Sequence, residues 1–221
     1  MIELTLLAAA LTAFAAAYLL LRFRGLARRD LDRLWGAALA GMFTGRLAEL
    51  FAAGINPLTN PGQLLLIRGG VDTTWASLGA VFTLVWPLRH HLHVLDRLAP
   101  AVLAALGGWH AGCLWRSTCL GTASDLPWAF PLPGSTVSRH PVELYAALLF
   151  AVGAWALSRW SLPTGVPAGL GVAWAAGTRL VTESLRPSLT GGPVAFYVAA
   201  LIAGLAWSWW SWRQARAPLQ H

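Results

Sequence analysis

Residues Met1–Arg33 read MIELTLLAAALTAFAAAYLLLRFRGLARRDLDR, an apolar run that stops abruptly at a cluster of arginines. About twenty apolar residues in a row match the length of helix needed to cross a hydrocarbon core. The run opens with Glu3 rather than a basic segment, so it reads as a retained first helix, with cleavage near Ala15–Ala17 as the alternative. Arg22, Arg24, Arg28, Arg29 and Arg33 follow it directly. Lys and Arg accumulate in cytoplasmic loops, so this stretch sets both the fold and its orientation: the N-terminus outside, the arginine loop inside.

The rest of the chain extends that reading. Of 221 residues, 57% are hydrophobic and 11% charged, against about 25% charged in soluble domains, so the solvent for most of the chain is expected to be lipid. Seven candidate spans emerge, at roughly 2–21, 34–53, 71–88, 98–114, 141–158, 164–183 and 193–212. The expectation is an all-α, polytopic helical membrane protein with about seven transmembrane helices, N-terminus outside and C-terminus cytoplasmic. Residues 1–221 read as a single integral-membrane domain, with an outer loop insert at about 115–140. Thirteen Trp and three Tyr suit interfacial anchoring, most visibly in the tail WSWWSWR.

All sixteen basic residues are arginines, for a net charge of +7. They lie between apolar runs rather than on one polar face, which favours membrane orientation and anionic lipid over nucleic acid. Arg89, Arg97, Arg159, Arg213 and Arg216 join the first loop on the expected inside. Arg46, Arg68, Arg116, Arg139, Arg179 and Arg186 fall near outer ends of spans or in outer loops, against the charge rule, and need another reason to be there.

Ionisable residues in spans are costly and mark function by default. Arg46 and Glu49 sit three apart in GRLAEL, and Arg179 and Glu183 four apart in TRLVTESLR, each pair on one helical face, with Arg186 following. One reading has each pair neutralise itself and pin helices together. The other has several outer-side arginines converge on an anionic group such as a phospholipid phosphate, whose oxygens suit the guanidinium fork. His140, beside Arg139 and three residues before Glu143, opens the fifth span; His110 lies near the outer end of the fourth. Each is either a hydrogen-bonded structural residue or a general base.

Other features carry less. RHHLH (Arg89–His93) reads as a solvated basic loop, since three His without Cys or carboxylate spacing are poor metal ligands. Cys113 and Cys119 either pack or pair on the oxidising side, and CLWRSTC has no metal-site spacing. No metal and no cofactor is expected. A channel or transporter is disfavoured because no paired broken helices occur in corresponding halves.

Five segments then come together: GRLAEL (45–50), NPGQLLLIRGGVDTTWASLGAV (60–81), GCLWRSTCLGTASDLPWAF (112–130), RHPVELYAAL (139–148) and GTRLVTESLR (177–186). In this order and spacing the chain resembles the prolipoprotein diacylglyceryl transferase family over roughly residues 35–190. The resemblance implies an enzyme of the outer face of the bacterial cytoplasmic (inner) membrane, working without a metal. It would transfer diacylglyceryl from phosphatidylglycerol to a lipobox cysteine thiol and release glycerol phosphate. The partners implied are an anionic phospholipid and a prolipoprotein signal peptide.

Carried over residue by residue, the resemblance matches Arg179 and Glu183 to the family's arginine and glutamate, and Gly121 to the glycine closing its signature segment. Asp125–Trp128 and His140–Tyr145 match two further elements. The family's His-Gly-Gly-Leu-Ile-Gly segment has Thr74 at its histidine; His110 stands at the signature arginine and Cys113 at the asparagine after it. In the catalytic reading His110 or His140 replaces the base. Arg179 and Arg186, with Arg46, Arg139 and Gly121, hold the lipid, and Glu183 positions Arg179. In the alternative, the chain is a degenerate homologue acting as a lipid-binding or scaffold subunit.

Overall fold

The computed structural model describes residues 4–23, 28–65, 70–112, 120–131, 134–187 and 192–216. Among them are eight helices: α1 (Leu4–Phe23), α2 (Arg28–Ala52), the single turn α3 (Gly62–Leu65), α4 (Thr73–Leu88), α5 (Leu92–Gly112), α6 (Val142–Arg159), α7 (Val166–Glu183) and α8 (Val194–Arg216). A two-residue antiparallel ribbon, β1 (Phe130–Pro131) with β2 (Ser138–Arg139), lies between α5 and α6. The all-α expectation holds. Seven of the helices run 16 residues or more and overlap the seven expected spans. Two of them, α6 and α8, are long and apolar enough to cross a membrane by length and composition; Ala8–Phe23 and α4 are shorter apolar helices. The difference from the expected seven is physical: α2 carries Asp30, Asp32, Arg33, Arg46 and Glu49, α5 carries Asp96 and Arg97, and α7 carries Arg179 and Glu183.

The chain packs as two compact units, Met1–Gly25 with Asp96–His221, and Leu26–Leu95. In the first, α6 buries Ala146, Phe150, Ala154 and Leu157 against Ala99 and Leu103 of α5, with Leu170 and Trp174 of α7 closing over them. Phe150 is wholly inaccessible. The Trp174 indole donates to the Leu149 carbonyl at 2.8 Å, which satisfies its one polar atom inside the apolar contact. Small residues bring α7 and α8 together: a Cβ on Gly204 would come within 2.6 Å of the Ala173 nitrogen. Backbones this close are a recurrent way of packing helices in lipid.

α7 begins where the sequence dictates. Gly165 takes a left-handed φ of 88°, Pro167 sits in the first turn, and the free N–H groups need acceptors. Asp96 supplies them from α5, accepting from Gly165 N at 2.7 Å and Ala168 N at 3.0 Å. Hydropathy sets the fourth span at 98, but the helix starts at Leu92, because its polar first turns include the residue that caps α7.

In the second unit α2 packs on α4, whose N-terminus is capped by Asp72 accepting from Thr74 N at 2.8 Å and Trp75 N at 3.0 Å. Thr44 donates across to the Trp75 carbonyl at 3.1 Å.

Candidate functional site

Glu143 organises the polar end of the first unit. It occupies the first turn of α6, where a carboxylate is favoured by the helix dipole, and is 6% exposed. A buried carboxylate needs partners for both oxygens. Its Oε2 meets Nδ1 of His110, in the last turn of α5, and its Oε1 accepts from Nη2 of Arg186. The His110 ring stacks on Phe150, with centroids 5.2 Å apart and planes 14° from parallel.

A second carboxylate joins from α7. Glu183 Oε2 lies 3.6 Å from Arg179 Nη2 and 3.8 Å from Arg186 Nε. These are ion contacts, not hydrogen bonds: Glu183 Oε2 and Arg186 Nε are buried with no hydrogen-bond partner among the described residues. Arg179 also donates from Nε at 3.3 Å and Nη2 at 3.1 Å to the Tyr197 hydroxyl on α8, and lies over that ring at 5.4 Å.

A short backbone ladder holds these elements in register. Gly121 N donates to the His140 carbonyl at 2.7 Å, His140 N to the Thr122 carbonyl at 3.0 Å, and Thr122 N to the Leu185 carbonyl at 2.9 Å. The segment after α5 is thereby fixed to the starts of α6 and of the tail after α7. Only glycine fits at 121, since a Cβ would lie under 3.0 Å from Val142 Cγ2 and the Leu185 carbonyl oxygen. Arg139 donates from Nη1 to the Gly121 carbonyl at 3.2 Å, and its buried Nε has no hydrogen-bond partner among the described residues.

The expected site residues thus fall into three groups. His110, Glu183, Arg179 and Arg186 meet in one ion network. Gly121 and Arg139 belong to the ladder beside it. His140 shares the ladder through its backbone, while its half-buried ring stands edge-on to Tyr145 at 6.1 Å, with Nδ1 3.5 Å from the Tyr145 hydroxyl. That hydroxyl also accepts from Trp128 Nε1 at 2.8 Å, tying the Asp-Leu-Pro-Trp segment to α6. Arg46 belongs to the other unit, where it donates to the carbonyls of Gln63, at 3.2 and 3.0 Å, and of Gly70, at 3.0 Å. Arg46 therefore has backbone partners of its own beyond the Arg46–Glu49 spacing. Cys113, Arg116 and Cys119 lie outside the described residues, as does Arg68.

Sequence reasoning missed the role of Glu143, whose spacing suggested His140 as its neighbour. It also missed Tyr197. The available signal was an acidic residue in the first turn of an apolar helix, which demands buried partners from elsewhere. Among the described residues no group of three His, Cys, Asp or Glu has an arrangement that could hold a metal ion.

The chemistry available is that of anion recognition beside a held imidazole. Arg186 commits Nη2 to Glu143, and Arg179 spends Nε and Nη2 on Tyr197, so each guanidinium keeps N–H donors for an incoming anion. Half-buried arginines held by carboxylates are fixed in place before any ligand arrives, which spares the entropy of ordering them.

Comparison with known proteins agrees in extent. The model of the family described as prolipoprotein diacylglyceryl transferase matches residues 3–214. A phosphatidylglycerol–prolipoprotein diacylglyceryl transferase of Cupriavidus pinatubonensis is 30% identical over 219 residues, 88% of this chain and 79% of that protein. One from Cupriavidus necator is 29% identical over 215 residues, covering 86% and 78%. One from Methylobacillus flagellatus is 35% identical over 136 residues, covering 58% and 52%. The chain belongs to the prolipoprotein diacylglyceryl transferase family.

Proposed function

We propose that this chain is a membrane enzyme that transfers diacylglyceryl from phosphatidylglycerol to the cysteine thiol of a prolipoprotein lipobox. The observation that carries the reading is the convergence of Arg179, Arg186, Glu143, Glu183 and His110 in one ion network, with His110 and Glu143 buried and the two arginines half-buried. Arg179 and Arg186 bind the lipid phosphate and stabilise the charge that develops on the departing glycerol phosphate. Arg139 and the Gly121 ladder support the same anion from the adjoining loop, and Glu183 positions Arg179. The base that converts the thiol into the nucleophilic thiolate is His110 or His140. Seven crossings of the bacterial inner membrane, N-terminus outside, put this network at the outer face, where a prolipoprotein signal peptide presents its cysteine.

A second reading is favoured by one observation. Thr74, at the family's histidine, has no proton acceptor of imidazole strength, and its amide is committed to capping by Asp72 at 2.8 Å. On that reading the chain binds phosphatidylglycerol as a scaffold subunit and turns nothing over. The two separate when purified protein is incubated with phosphatidylglycerol vesicles and a lipobox peptide and the peptide is weighed by mass spectrometry. A peptide heavier by one diacylglyceryl group is the expected result; an unmodified peptide with lipid retained on the protein favours the scaffold.

A further inference from the structure

The transferase reading leaves Glu143 without a task, although it is the residue on which the network converges. A carboxylate buried at this depth loses several kcal/mol of hydration and persists only with good partners. Glu143 has two of different kinds: an arginine on one oxygen and an imidazole on the other. An ionised carboxylate accepts from Nδ1, which puts the proton of the neutral imidazole on that nitrogen and leaves Nε2 bare on the far side of the ring. Among the described residues no hydrogen bond engages Nε2. Phe150 fixes the plane of the ring and Glu143 its rotation, so the imidazole is held in two senses at once.

His140 has no such support. Its Nδ1 reaches only the Tyr145 hydroxyl, at 3.5 Å, and no carboxylate contacts its ring among the described residues. Geometry therefore separates two histidines that sequence alone leaves equivalent.

Resting on the transferase reading, we infer that His110 is the base that deprotonates the acceptor thiol and that Glu143 is the residue that positions it. The thiol proton passes to Nε2 of His110. The sulfur electron pair forms the new C–S bond at the glyceryl carbon, and the C–O bond to phosphate breaks with its electron pair left on oxygen. The departing glycerol phosphate takes the negative charge beside Arg179 and Arg186, and then the proton from His110. Arg186, bonded to Glu143, links the anion site to the base through a single carboxylate.

The test is a double-mutant cycle on the full chain, reconstituted in vesicles of phosphatidylglycerol and a zwitterionic lipid, with a lipobox peptide as acceptor. H110Q is expected to lower kcat by about 10²–10⁴-fold, the usual worth of a general base. E143Q is expected to lower kcat on the order of 10²-fold and, because Arg186 loses its partner, to raise KM for phosphatidylglycerol as well, and E143D to recover part of both losses. Because Glu143 acts on the thiol through His110, the double variant is expected to lose far less kcat than the product of the two single losses, the remainder reporting the contact of Glu143 with Arg186. Losses that multiply in the double variant, or an E143Q enzyme with full kcat, overturn the inference. A readout independent of activity guards against variants that fail to fold. In 15N-histidine NMR of the wild-type protein, the His110 imidazole is expected to carry its proton on Nδ1 and none on Nε2, and any other state overturns the assignment. A wild-type protein with no turnover removes the transferase reading itself, whereas an active one with multiplying losses removes only the His110–Glu143 pair.

Discussion

Replacing Gly121 with alanine tests whether the ladder holds the site in register. The added Cβ would lie under 3.0 Å from both Val142 Cγ2 and the Leu185 carbonyl oxygen, and 3.2 Å from His140 Cβ. A relaxed C–H···O contact needs about 3.3–3.6 Å, so the loop must retreat by roughly 1 Å. Neither obstacle yields easily: Val142 is 1% exposed, and the Leu185 carbonyl is anchored by Thr122 N at 2.9 Å. Overpacking of this kind costs about 1–3 kcal/mol. The functional cost is expected to be larger, because Leu185 immediately precedes Arg186 and a 1 Å misplacement of a positioning group costs about 10²-fold in rate. Thermal unfolding in mixed micelles and turnover of a lipobox peptide give the two readouts. The expected result for Gly121→Ala is a folded protein of reduced stability with turnover down about 10–100-fold. Wild-type turnover in that variant would refute the claim that this close approach sets the position of Arg186.

Three further outcomes follow from the same geometry. Gly36→Ala, at an exposed position in α2 where a Cβ meets nothing within 4 Å, is expected to raise stability by about 0.5–1 kcal/mol in the same unfolding assay. Asp96→Ala removes the acceptor for Gly165 N and Ala168 N and is expected to cost about 1–2 kcal/mol, with faster hydrogen exchange at those two amides; Asp96→Asn should retain much of the cap. Arg179→Lys keeps the charge but loses the forked contact with the Tyr197 hydroxyl, and KM for phosphatidylglycerol is expected to rise about tenfold in vesicle assays.

The helices were largely legible because their determinants are local. Pro141 before α6, and Gly165 with Pro167 at α7, mark starts that any chain with those residues tends to make. The early start of α5 was hidden because its first turns are polar, and the reason lies seventy residues away in the amides that Asp96 caps. The ribbon of Phe130–Pro131 with Ser138–Arg139 was hidden too, since two-residue strands carry no periodicity.

The site divides along the same line. Arg179 and Glu183, four apart on one helix, could be paired on paper, and they stand 3.6 Å apart. His140 and Glu143, three apart, invited the same inference, yet Glu143 turns instead to His110 and Arg186, 33 and 43 residues distant. Spacing along a helix shows which side chains share a face; which of them a buried carboxylate selects depends on the neighbouring helix.

The claim that most needs a direct answer is that the chain turns lipid over. Counting glycerol phosphate released per protein molecule, with phosphatidylglycerol vesicles and excess lipobox peptide, measures this without reference to any single residue. We expect many equivalents, each matched by one lipidated peptide. Lipid bound one-to-one with no glycerol phosphate released would contradict the account and leave the family's fold serving as a phospholipid-binding subunit.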